Sequence, residues 1–91
     1  MSELSIAKSA LKHLNQDNIS IEDVIYIIEH PLLIRLEAEE PYLKQLYLGF
    51  DPKTRVLEAV TVEFRDNEET IIHAMKATKE HRKLLELGRS E

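Results

Sequence analysis

Between residues 32 and 76 the chain holds four short runs of β-forming residues, parted by polar turns of only a few residues. Links that short cannot carry a crossover, so neighbouring runs must fold back as antiparallel strands. The first run is Leu32 to Leu36, where apolar Leu32, Ile34 and Leu36 alternate with Leu33 and Arg35. Tyr42 to Phe50 is rich in aromatic and aliphatic residues and predicts a second strand. Arg55 to Phe64 gives the third, with Val56, Val60, Val62 and Phe64 on one face, and Thr70 to Met75 gives the fourth. The turns are Glu37 to Pro41, the Gly49/Asp51-Pro52-Lys53-Thr54 stretch and Arg65 to Glu68.

Helical patterns flank this stretch. Leu4, Ala7, Leu11 and Leu14 recur at spacings of three and four, with Ser2 placed as an N-cap. After a polar break, Ser20 and Asp23 form a short-armed capping box for a second helix with Ile21, Val24, Ile25 and Ile28 on its apolar stripe. Pro31 ends that helix, because the residue before a proline avoids helical geometry. Thr78 caps a last helix with His81, Leu84 and Leu85 on one side and Gly88 as its stop. The expectation is one α+β domain over residues 1–91. It has two N-terminal helices, a four-stranded, mainly antiparallel sheet and a C-terminal helix. Helices cover one face of that sheet and leave the other wet.

The chain has 91 residues and no cysteine, which excludes disulfides, thiolate chemistry and cysteine-based zinc sites. Its longest wholly apolar run, Val24 to Ile28, is far too short for a membrane span, and the start Met-Ser-Glu-Leu lacks the features of a secretion signal. A cytoplasmic location is expected. The net charge of −5 argues against broad electrostatic binding of nucleic acid, but the charge is uneven. Residues 73–91 carry five cations against three carboxylates, a positive end on an acidic body.

Several residues there and on the last two strands can carry chemistry. Glu58 interrupts the apolar row of the third strand. A carboxylate in that row is costly unless paired, so it is either a partner of an Arg or Lys, or a general base or the orienter of one. His73 falls on the fourth strand, on the side of Ile71 and Met75. His30 stands at a helix end, where the C-terminal dipole explains it, His81 reads as packed in an apolar stripe, and His13 as surface. No two histidines have the spacing of a metal-binding helix, so no metal and no cofactor is expected. Lys76, Lys79 and Lys83, with Arg82 beside them, make a basic stripe if the helix begins early enough. Such a stripe is either a solvated surface or a phosphate-binding edge. Cleavage of RNA needs cations at the scissile phosphate together with a base and an acid. Arg35 and Arg55 join that cluster if their strands neighbour the fourth. A wholly different use of the same face is non-catalytic protein binding, and an exposed sheet edge can also pair two copies of the chain.

The run His73-Ala74-Met75-Lys76-Ala77-Thr78-Lys79-Glu80-His81-Arg82 resembles the C-terminal signature of BrnT-type toxins, members of the RelE-like ribonuclease superfamily. His30-Pro31, Tyr47-Leu48-Gly49-Phe50-Asp51 and Arg55-Val56-Leu57-Glu58-Ala59-Val60 resemble further pieces of that family in the same order. The resemblance implies a compact sheet with helices, an RNA-cleaving toxin and a small antitoxin that neutralises it and binds DNA with it. On the matching positions it points to Arg55, His73, Lys76 and Arg82. The expected catalytic set is therefore His73, Lys76, Arg55 and Glu58, with Lys79, Arg82, Lys83 and Arg35 binding the RNA. Antitoxin, RNA and a second copy of the chain are the expected partners.

Overall fold

The computed structural model describes residues 4–63 and 68–89. The elements run β1 (Leu4–Ile6), α1 (Lys8–Gln16), α2 (Ile21–Glu29), β2 (Leu33–Ala38), β3 (Leu43–Phe50), β4 (Val56–Glu63), β5 (Glu69–Lys76) and α3 (Lys79–Arg89). The class is α+β, with two helices before the meander and one after it. The sheet has five strands, in the order β1-β5-β4-β3-β2. Strands β2 to β5 are the expected antiparallel meander. The additional strand, β1, lies parallel to β5 in the register Leu4↔Glu69, Ser5↔Thr70, Ile6↔Ile71. The four-stranded, mainly antiparallel sheet expected from sequence is corrected on this point. Leu4 satisfies the helical spacing with Ala7 and Leu11, yet it pairs with a strand. Helix α1 begins only at Lys8, after Ala7, which donates its N–H to the Ile71 carbonyl at 2.8 Å instead of being capped by a side chain. The proposed cap Ser2 and the strand residue Phe64 lie outside the described residues, as does most of the Arg65 to Glu68 turn.

Helix ends follow local chemistry. Ile19 donates its N–H to the Leu14 carbonyl at 3.0 Å while Asn18 adopts φ 57°, a Schellman ending in which Asn supplies the left-handed residue. The apolar pair that accompanies this motif is present, since Leu14 and Ile19 are both buried. Ser20 Oγ accepts from the Asp23 N–H and Asp23 Oδ2 accepts from the Ser20 N–H, each at 3.1 Å, closing the capping box. Helix α2 stops at Glu29, two residues before Pro31. Thr78 Oγ1 accepts from the His81 N–H at 3.2 Å and caps α3. Gly88 does not stop α3, which continues to Arg89.

One face of the sheet is closed by α1 and α2, whose Ala10, Leu14, Val24 and Ile27 form one core with Leu57, Ala59, Ile71 and Ala74. Ile71 and Ala74 are three apart and still share that face. The pairing steps from Val60↔His73 to Thr61↔Ile71, so Ile72 is an extra residue on β5. That bulge turns His73 and Met75 to the opposite face from Ile71, contrary to the simple alternation read from sequence. The opposite face is not the open surface expected. Leu46 and Leu48 on it are wholly buried, and Glu58 is 3% exposed. Among the described residues, no helix is long and apolar enough to cross a membrane.

Helix α2 sits so close to β3 that a Cβ on Gly49 would lie 3.2 Å from Ile27 Cβ and 3.5 Å from the His30 carbonyl oxygen. Ile27 is fully buried and its Cβ moves only with the helix backbone. Gly49→Ala is therefore expected to cost about 1–2 kcal/mol, read as a lowered urea midpoint with an unchanged slope. Wild-type stability in that variant would show that α2 is not seated against β3.

Candidate functional site

Burying a carboxylate beside Leu46 and Leu48 demands donors, and Glu58 has three. His73 Nε2 lies 2.9 Å from Oε2, His81 Nδ1 lies 2.8 Å from Oε1, and the Thr78 N–H donates to Oε1 at 2.8 Å. His73 reaches it as a diagonal neighbour across the β4–β5 ladder. Thr78 and His81 reach it from the start of α3, so one carboxylate fastens that helix to the sheet. Burial pushes the Glu58 carboxyl up, but hydrogen bonds from His73, the Thr78 N–H and His81 outweigh it and hold the pKa at about 2, against an ordinary 4.5. Glu58 is thus neither the partner of an Arg or Lys nor a proton acceptor near neutrality. It orients imidazoles. An ionised carboxylate only accepts, so each ring presents an N–H to it. His73 Nδ1 and His81 Nε2 are left as the ring nitrogens able to exchange a proton with a ligand. The side chains of His73 and His81 are 36% and 24% exposed, which keeps both within reach of solvent.

A cleft of about 350 Å3 opens next to this cluster, lined by Thr54, Arg55, Val56, Lys76, Ala77 and Arg82. Val56 lies two residues before Glu58 on β4 and on the same face, one pleat repeat or roughly 7 Å away. Arg82 follows His81 directly. Lys76 is the last residue of β5, not part of a helical stripe, because α3 starts at Lys79. Lys79 and Lys83 line a second groove of about 320 Å3 with Arg82 and Glu86. Arg82 is shared by both depressions.

Arg55 contributes charge to the cleft, but its donors are engaged. Nε meets Asp51 Oδ2 at 2.7 Å, Nη1 meets the Asn18 carbonyl at 3.1 Å and Nη2 meets Asp23 Oδ2 at 3.1 Å. It ties the β3–β4 turn to the loop between α1 and α2. Burial raises the Asp23 carboxyl, but hydrogen bonds from Ser20 and the charges of Lys53 and Arg55 hold it below its ordinary value. Arg35 stands apart from all of this. Its strand, β2, is three places from β5, roughly 14 Å across the sheet, and it pairs with Glu37 at 2.9 Å. The structure therefore brings His73 and Glu58 together, places Lys76, Arg55 and Arg82 round one cleft, puts Lys79 and Lys83 on the adjoining groove and leaves Arg35 outside.

His81 is the member that the packed-stripe reading missed. Its signal was available: one polar residue breaks the apolar row of β4 and another breaks the apolar stripe of α3, and two such residues satisfy each other if the surfaces meet. His30 keeps a local role, its ring 4.8 Å from that of Tyr26 at the end of α2. Among the described residues, no group of three or more His, Asp or Glu side chains is arranged to hold a metal ion.

With this geometry in view, comparison with known families assigns residues 6–76 to DUF4258, a domain of unknown function, and the chain belongs to that family. No curated protein matches it.

Two outcomes follow for the charged groups. The folded pKa of Glu58 lies below 4.5, so ionisation favours the fold; this contribution is complete above about 4.5 and lost as pH falls through about 2. Glu58→Gln is expected to lower stability at pH 7 by about 2–3 kcal/mol and to flatten the fall in stability on the acid side, measured by urea unfolding at stepped pH. Arg55→Ala is expected to cost about 3–5 kcal/mol, since the Asp51 side chain, wholly buried, loses its counter-charge. An Arg55→Ala protein that melts like wild type would show that Arg55 is not a tether.

Proposed function

We propose that this chain is a BrnT-like toxin, a metal-independent endoribonuclease of a type II toxin–antitoxin pair acting in the cytoplasm. The observation that carries the reading is the pair of imidazoles fixed by one buried carboxylate beside a cationic cleft. Phosphodiester cleavage in RNA needs a group to take the 2′-hydroxyl proton, a group to protonate the departing 5′-oxygen, and cations where charge builds on the phosphate oxygens. His73, the more exposed of the two, takes the proton through Nδ1. The 2′-oxygen attacks phosphorus, the bond to the 5′-oxygen breaks, and His81 delivers a proton to that oxygen from Nε2. A 2′,3′-cyclic phosphate and a free 5′-hydroxyl result. Glu58 keeps the neutral His73 ring in its Nε2–H tautomer and stabilises both imidazolium forms, the one in which His81 begins and the one that His73 becomes. Arg82 meets the phosphate, Lys76, which leaves β5 on the Ala74 face opposite His73, reaches it round the end of the strand, Arg55 shapes the wall while balanced by Asp51 and Asp23, and Lys79 and Lys83 hold the strand beyond.

A second reading, a non-catalytic protein-binding module, draws on the opposite edge of the sheet. Leu32 and Ile34 are each 51% exposed and Leu36 is 48% exposed, in alternate positions at edge strand β2. Such a row fits an added strand or an amphipathic helix from an antitoxin, or a second copy of the chain. The two readings are compatible if the antitoxin binds there.

The purified chain is expected to cut RNA in the presence of a chelator and leave cyclic phosphate ends. His73→Ala and His81→Ala should each lower the rate by about 100-fold or more while keeping the fold. Induced expression should arrest growth with loss of messenger RNA. RNA left intact by stoichiometric protein, or full toxicity in both variants, would overturn the assignment, and a co-purifying partner without cleavage would favour the binding module.

A further inference from the structure

A third depression, of about 180 Å3, adjoins the cationic cleft and shares Val56 and Arg82 with it. Its other walls are Phe50, Leu85 and Glu86. Its composition differs from the cleft in a way that matters. Phe50, Val56 and Leu85 present an aromatic ring and two aliphatic side chains, a surface suited to the flat face of a nucleobase. A single carboxylate, Glu86, stands at its margin. Arg82 lines both this depression and the cleft, and Glu86 also borders the groove lined by Lys79 and Lys83. Among the described residues the Glu86 side chain makes no hydrogen bond or ion pair.

We propose that this depression is a base-reading subsite that selects guanine at the nucleotide whose phosphate enters the cleft. The proposal rests on the RNA reading given above and adds a specificity to it. A carboxylate only accepts hydrogen bonds, and its two oxygens match two parallel donors. Guanine alone among the four RNA bases carries such a pair on its Watson–Crick edge, the N1–H and the 2-amino group. Adenine and cytosine each offer one amino group next to an acceptor nitrogen. Uracil offers one N–H flanked by carbonyl oxygens that Glu86 would repel. With guanine against Phe50 and its edge on Glu86, the attached phosphate meets Arg82 and Lys76. The order of chemistry across the surface is thus base reader, cation, imidazole pair, and Arg82 and Val56 are the residues common to the first two.

The test uses the full chain and the four nucleoside 3′-monophosphates as probes, with affinities measured by titration and the contacted amides followed by NMR. Guanosine 3′-monophosphate should bind about tenfold more tightly than the other three and shift the amides of Phe50, Leu85 and Glu86. Glu86→Gln, an exposed substitution, should bring the four affinities within about twofold of one another. Arg82→Ala should weaken all four alike. Equal binding of the four probes by the wild-type chain, or an undiminished guanine preference in Glu86→Gln, overturns the proposal. Because the probes are not cleaved, the result is independent of catalysis. A guanine preference without RNA cleavage would sink the ribonuclease reading and keep the subsite, and cleavage without base preference would do the reverse.

Discussion

A carboxylate inside an apolar sheet face has to be compensated from whatever lies over it, and in this chain Glu58 sets what that must be. Its two oxygens are satisfied by β5 through His73 and by the start of α3 through Thr78 and His81. The identity of one strand residue therefore governs where a helix twenty residues later sits on the sheet. It also governs which nitrogen of each histidine is left for a ligand. Replacing the carboxylate by an apolar side chain would leave buried donors without acceptors, the costlier kind of loss.

Arg55 shows how a residue can border a site without belonging to its chemistry. Its guanidinium is held by a buried aspartate, by an aspartate in a helix cap and by a backbone carbonyl. Thr54 beside it takes φ 67°, unusual for a β-branched residue, within a turn organised by Asp51 Oδ1, which accepts from the N–H groups of Lys53 and Arg55. The cleft wall is thus built on a turn whose shape is set by one aspartate, and the Arg55 charge in it is balanced by Asp51 and Asp23, which leaves Lys76 and Arg82 to give the cleft its cations. At the far end of the sheet a second polar cluster is self-contained. Tyr47 and Thr61 hydroxyls donate to Glu69 Oε2 at 2.6 Å and 2.7 Å, and burial with Glu69 pushes the Tyr47 phenol up to about 12.

Much of this architecture was legible in the residues. The capping box at Ser20 and Asp23, the stop before Pro31 and the meander all depend on contacts between near neighbours, which sequence displays directly. The parts that were not legible depend on contacts far apart in the chain. Three residues, Leu4 to Ile6, are too few for a period of two to stand out against a period of 3.6. The bulge at Ile72 changes which side His73 faces without any glycine or proline to announce it. The burial of the second face depends on where α3 lands, and that is decided by Glu58 and His81 meeting across 23 positions. Lys76, Lys79 and Arg82 were legible as a basic group, because they are close in the chain. Arg35 was misplaced because strand order, unlike strand identity, is not written in alternation.

The parallel pairing of β1 stops at Ile6↔Ile71, where the chain turns away into α1. Beyond that point, from Ile72 to Lys76, no described strand lies on the outer side of β5. The half of the strand that bears His73 and Lys76 is consequently paired along one flank with β4 and, among the described residues, with no strand along the other. Among the described residues no strand pairs with that flank, so the shape of this half of β5 is held by β4 alone.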